Sequence, residues 1–328
     1  MIRTRLPRRR FLQLAAAAGA LPAMSRIASA QAYPSRAVRV VVPFPPAGDT
    51  DFVARLIGQW LSERLGQPFV IENRPGGGTN IGTEAVVRAP ADGYTLLLNS
   101  PPSAINATLY ANLKFNFLRD MTPIAFVMRA PFVMEVNASF PARTIAEFIA
   151  NAKANPGKIS MASAGVGTGP HLAGELFKIM SGVDMLHVPY RGQGPALADL
   201  LAGQVQLYFG GLPTTIDHVK AGKLRALAVT TATRSQIIPD IPAMSEFLPG
   251  YDASFWGGFS APKGTPGHII DKLNREINAA LADAKIKARI AQLGGMPVGG
   301  SPADFAKYIA DETAKWGKVI QVMGIKPA

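Results

Sequence analysis

Cysteine is absent from the 328-residue chain. That removes disulfides, thiolate nucleophiles and thiolate metal sites at once. Histidine is nearly as scarce, four in all, and His171, His187, His218 and His268 lack the spacing of a metal site. Neither metal nor cofactor is expected. Beyond the first thirty residues, nothing reaches the roughly twenty continuous apolar positions that a membrane-crossing helix needs. Acidic residues are the minority, 22 against 34 basic ones. Six arginines fall within the first thirty residues, so about +6 of the formal +12 belongs to the rest of the chain. This remainder has no Lys/Arg-rich run with interleaved aromatics, so no nucleic-acid partner is expected; a diffuse positive field fits the steering of small anions.

What the chain does have begins with Pro7-Arg8-Arg9-Arg10-Phe11-Leu12, an alanine-rich apolar run over residues 14–21, and Ala28-Ser29-Ala30. A paired arginine, a short apolar core and a small-x-small site make an export signal of the twin-arginine type. Residues 1–30 are therefore expected to be cleaved near Ala30, placing the working protein in the periplasm. About 298 residues then remain, more than one hydrophobic core usually organises, and two domains are expected.

Strand and helix patterns alternate. Residues 38–44 are a β-branched run, and 51–65 place Phe52, Val53, Leu56, Ile57, Trp60, Leu61 and Leu65 on one helical stripe that Gly66 ends. Strands are predicted at 69–71, 95–98, 159–162, 186–188, 206–209 and 224–230. Helices are predicted near 83–88, after Thr144 with Glu147 as a capping box, and at 171–180 and 195–202. Thr265-Pro266 and Ser301-Pro302 open two further helices, to about 284 and 323. The pattern is α/β with mostly parallel sheets. No repeat or linker marks a boundary.

Two loops carry the chemistry: Pro43-Phe44-Pro45-Pro46-Ala47-Gly48-Asp49-Thr50-Asp51, and Ser163-Ala164-Gly165-Val166-Gly167-Thr168-Gly169-Pro170-His171. Each joins a strand to a helix, where small residues let an anion approach free N–H groups. Ligands of open α/β sheets sit beyond the carboxyl ends of strands, so two such loops facing one cleft would form a two-sided carboxylate grip. A tight structural turn explains either loop alone equally well.

At these loops the chain resembles the Bug-type receptors, periplasmic solute-binding proteins of the tripartite tricarboxylate transporter family. The resemblance continues through Glu72-Asn73-Arg74-Pro75-Gly76, Asn80-Ile81-Gly82, Ala91-Asp92-Gly93-Tyr94, His171-Leu172-Ala173-Gly174-Glu175, Val188-Pro189-Tyr190-Arg191-Gly192, Ala221-Gly222-Lys223-Leu224-Arg225 and Trp256-Gly257 to Pro266. It implies a two-domain α/β binding protein, a type II-like Venus flytrap with crossing hinge strands. One domain would be 31–133 plus 257–328 and the other 134–256. It further implies a monomer that holds a small organic carboxylate or related amide and hands it to membrane permease subunits. Carried onto this chain, Phe44, Ala47, Gly48, Asp49 and Thr50 form one jaw, and Ser163, Gly165, Gly167 and Thr168 the other. Asn80, Ser100, Tyr190 and Arg191 adjoin them.

Several positions depart from the family pattern. Ala47 stands where a glycine is usual, Asp49 where the residue is usually small and neutral, and Ser100-Pro101-Pro102 replaces a loop of glycine and threonine. Asp49 has two readings, a solvent-facing cap of its own helix or an acid facing the cleft. A sensor that contacts a membrane kinase is a second function compatible with such a receptor. A hydrolase built on Ser163, Thr168 and His171 is a third; it lacks a G-x-S-x-G elbow, and no carboxylate within the motif orients the histidine.

Overall fold

The strand β1 (Val38–Val42) is buried along nearly its whole length, as a valine-rich run covered on both faces should be. In this computed structural model, which describes residues 33–292 and 294–327, β1 opens a compact unit comprising Arg36–Ala328. The export segment lies outside the described residues. After β1 come α1 (Asp49–Leu65), β2 (Phe69–Asn73), α2 (Asn80–Val87), β3 (Thr95–Asn99) and α3 (Pro101–Leu109). Gly66 ends α1 in the left-handed region, at φ 71°. β1 lies between β2 and β3 and is parallel to both.

After the short helix α4 (Phe117–Asp120) comes β4 (Met121–Asn137), a strand of 17 residues. The second series is α5 (Ile145–Ala154), β5 (Ser160–Ser163), α6 (Gly169–Ser181), β6 (Leu186–Pro189), α7 (Gln193–Leu201), β7 (Leu207–Gly211), α8 (Leu212–Lys220) and β8 (Leu224–Val229). Here β5 lies between β6 and β7, again parallel to both. β9 (Ser254–Pro262) returns to the first series, and α9 (Gly267–Ala282), α10 (Ala284–Gln292), β10 (Met296–Pro297) and α11 (Pro302–Met323) complete the fold.

The strand order is β2-β1-β3-β9-β4-β7-β5-β6, with β8 and β10 also on β4. β4 joins the two halves: its first part pairs with β9, from Met121↔Pro262 to Pro131↔Ser254, and its second with β7 and β8. The expectation of mostly parallel sheets is corrected at this centre. The pairs β3–β9, β4–β9, β4–β7, β4–β8 and β4–β10 are all antiparallel. Helical crossovers impose parallel pairing only within each β-α-β series, and no such crossover governs how β4 and β9 meet their neighbours.

The core of the first half gathers Val41, Leu97, Phe126, Trp256, Phe305 and Ile309. Trp256 meets Phe305 edge-on at 6.0 Å, so α11 closes over β4 and β9. Ser301 caps α11, accepting from Asp304 N at 3.2 Å. The other predicted start is displaced by one residue: Pro266 is the N-cap of α9, and the Thr265 hydroxyl donates to Pro262 O instead.

Candidate functional site

Four strand-to-helix connections converge at the carboxyl ends of the parallel strands. The turns from β1 to α1, β3 to α3, β5 to α6 and β6 to α7 all contribute to one cavity of about 220 Å³. Their N-cap residues are Gly48, Ser100, Thr168 and Gly192, and none places a side-chain acceptor on its own helix start. Elsewhere α4, α5 and α11 are capped by Asn116, Thr144 and Ser301 while α2, α8 and α9 have no side-chain cap, so what sets these four starts apart is that they share one cavity. First-turn N–H groups have no intrahelical acceptor and carry the positive end of the peptide dipoles, so bare starts around one hollow suit an anion. α3 opens on Pro101-Pro102, which have no N–H; that start contributes its dipole and an apolar wall. Phe44, Phe132, Phe255 and Pro170 extend the wall, and Arg191 is the one cation among the lining residues.

The first jaw is held from behind. Ala47 sits at φ 67°, a left-handed conformation that costs an alanine roughly 1 kcal/mol. Its N–H donates to Asp51 Oδ2 at 3.1 Å, and Asp51 also accepts from Arg55 at 2.9 and 3.0 Å and from Asn73 Nδ2 at 2.9 Å. Asn73 Nδ2 reaches Phe44 O at 3.0 Å as well. Burial pushes the Asp51 pKa up, but the bonds from Arg55, Asn73 and Ala47 outweigh it and hold the carboxyl below its ordinary value.

The second jaw spends several of its donors internally. Gly165 N donates to Ser163 Oγ, Thr168 N to Gly165 O, and Gly167 N to His171 Nδ1 at 3.1 Å. His171 stacks on His187, with ring centroids 3.9 Å apart, and His187 Nε2 lies 2.6 Å from Ser163 Oγ. Burial pushes the His171 pKa down to about 3 and that of His187 to about 4, with Lys178 adding to both. Both rings are neutral at pH 7, so His171 packs and orders the loop.

Phe44, Ala47, Gly48, Asp49, Thr50, Ser100, Thr168 and Arg191 thus come together around the cavity. Ser163, Gly165, Gly167, Asn80 and Tyr190 stand outside its lining. Ser163 is wholly buried, and Gly167 packs against Leu109 and Asn106 of α3. Asn80 accepts from Asn106 Nδ2 at 2.9 Å beside a separate hollow, and Tyr190 donates its hydroxyl to Asp199 at 2.6 Å. The lining also includes Gln193, Phe132 and Phe255, which sequence reasoning did not single out; only the first directly follows a quoted motif. Asp49 is 5% exposed, and its Oδ2 accepts from Gln193 Nε2 at 2.8 Å. Burial raises its pKa to about 6 against the pull of that bond. The solvent-facing cap reading does not hold.

A sequence profile described as the tripartite tricarboxylate transporter family receptor matches residues 53–325. The chain belongs to that family. Among the receptor's relatives, BugT of Bordetella pertussis is 39% identical over 301 residues, spanning 91% of this chain and 92% of BugT. A Rhodopseudomonas palustris protein solved with adipate superposes with TM-score 0.86 at 38% identity, covering 90% of the receptor and all of that chain. MatC from Rhodopseudomonas palustris with bound malate gives 0.82 at 31%, covering 88% and all of that chain. The receptor has the mixed α/β fold of the periplasmic binding proteins and is a binding protein of a transport family, not an enzyme. The Ser163–His187 contact, the nearest thing to a nucleophile and base, is closed off by the burial of Ser163.

Proposed function

We propose that the receptor captures a small organic carboxylate, or a related amide, in the cavity between its two halves and delivers it to the membrane permease subunits of a tripartite tricarboxylate-type transporter. The observation that carries this reading is the convergence of four helix starts, none capped by a side chain, on one apolar hollow that also holds Arg191. Such a lining offers N–H groups and dipoles to one charged end and carbon to the rest. The acids named with the solved relatives, adipate and malate, are of the same chemical class. We take 31–133 with 257–328 as one closing lobe and 134–256 as the other, joined by β4 and β9, in a monomer exported through its twin-arginine signal.

A ligand bound only by the closed form stabilises the protein by RT ln(1 + [L]/Kd), about 2.7 kcal/mol at a hundredfold excess over Kd. Refolded, ligand-stripped receptor should therefore melt higher in the presence of its acid. Arg191→Ala should lose at least tenfold in affinity, the size expected of one charge-assisted contact. If a panel of aliphatic and aromatic carboxylates and their amides leaves the melting temperature unchanged, the reading is wrong.

A further inference from the structure

Asp49 is the one acid in a lining otherwise suited to anions. Its side chain neither turns back to cap α1 nor faces water; it crosses to the other half of the fold. Oδ2 accepts from Gln193 Nε2 on α7. The carboxylate also lies against Gly211, where even a Cβ would overlap it. Gly211 is the N-cap of α8 and supplies no acceptor of its own. An acid from the start of α1 thus stands beside a helix start of the opposite half, the kind of place where a ligand carboxylate is welcome. Among the described residues no basic side chain forms an ion pair with it there. Oδ1 has no hydrogen-bond partner, and the nearby oxygens of Glu135 and Tyr208 are buried and equally unpartnered. With a pKa raised by burial to about 6, Asp49 is still mostly ionised at pH 7.5.

We propose that Asp49 is a tethered acid filling the place of a second ligand carboxylate, so that the receptor selects acids with one carboxylate and an apolar or uncharged polar far end over dicarboxylates. This rests on the reading of the cavity as an organic-acid site. The walls of Phe44, Phe132, Phe255 and Pro101 suit the apolar remainder of such a ligand. A hydroxyl or amide at its far end would bring no charge toward the buried Asp49 carboxylate, whereas a second carboxylate would meet like charge. At a separation of about 6 Å and an effective dielectric near 20, that repulsion corresponds to tenfold or more in affinity.

Calorimetric titration at pH 7.5 with matched probes tests it: hexanoate, adipate and the monoamide of adipate, then benzoate and terephthalate. Wild type should bind the monoacid and monoamide at least tenfold more tightly than the diacid of the same set. Asp49→Asn, which keeps the shape, and Asp49→Ser, which restores a small neutral residue, should narrow the ratio to within about threefold. A ratio that stays the same in folded variants that still bind, or a wild type that prefers the diacids, overturns the role of Asp49 and leaves the organic-acid reading standing. If no probe binds to any of the three proteins, the organic-acid reading itself falls and the proposal falls with it.

Discussion

Replacing Glu135 by glutamine should stabilise the receptor at neutral pH and flatten its pH dependence. Glu135 lies on β4 opposite Tyr208 of β7, has no exposed surface, and neither of its carboxyl oxygens accepts a hydrogen bond. The adjoining Thr215 hydroxyl donates to Gly211 O at 3.1 Å instead. The other groups facing it are Tyr208 and, at the cavity end, Asp49. Burial pushes the Glu135 pKa from 4.5 up to about 8, with the Asp49 charge adding to it. A carboxyl raised in the folded state keeps a proton that the unfolded chain has lost. Its stabilising effect is therefore complete below the ordinary value of 4.5 and is lost as pH rises toward 8. The slope is about 1.4 kcal/mol per pH unit for one proton, so at pH 7 the cost relative to pH 4.5 is on the order of 3 kcal/mol.

Glutamine keeps the shape and carries no charge, so it should gain about 1–3 kcal/mol at pH 7. Asp49 has the same sign over its own interval, from 3.8 to about 6. His171 and His187 oppose it, because their depressed values make stability fall as pH drops below 6.5. Between pH 6.5 and 8, Glu135 is the one of these four that changes state. Urea denaturation of both proteins across that interval is the assay. Parallel slopes for wild type and Glu135→Gln, or a variant less stable at pH 7.5, would refute the account.

Two other outcomes are expected. Gly211→Ala would set a Cβ on the Asp49 carboxylate and so prop the two halves apart; ligand affinity should drop at least tenfold and small-angle scattering should show a larger particle, while an unchanged radius would mean the contact is incidental. Arg8→Lys with Arg9→Lys should stop periplasmic accumulation, since the folded-protein route reads the arginine pair and not charge alone; normal export of the double variant would assign the signal to the general secretory route.

The β/α alternation was legible because amphipathic helices and β-branched runs repeat with distinct periods, and most predicted elements lie within two residues of the observed ones. The central strands were not. β4 is apolar on both faces and carries Pro123 and Pro131, while β9 contains Gly257-Gly258, so neither shows the alternation or the composition of a strand. The first jaw was readable because its backbone conformation is set locally. The second was read less well, because the Gly167 and Gly165 N–H groups go to His171 and Ser163; among the adjoining residues, Asn80 is taken up by Asn106, 26 positions away. The Asp49–Gln193 bond spans 144 positions. A contact of that kind depends on how two halves of the chain are set together, and no local pattern encodes it.

The path of β9 also bears on when the molecule can be finished. Strands β5 to β8 are contiguous in the chain, so the second half has all its strands once Val229 has been made. The first half does not. Its order β1-β3-β9-β4 leaves β3 without its inner neighbour until Ser254–Pro262 emerges, with Leu97 awaiting Ser260, and α11 arrives later still to cover Trp256. A chain interrupted anywhere before β9 would lack a central strand, not a peripheral one. Such a fragment would display a long bare edge on β3, so closure of the first half waits on the same late stretch of sequence.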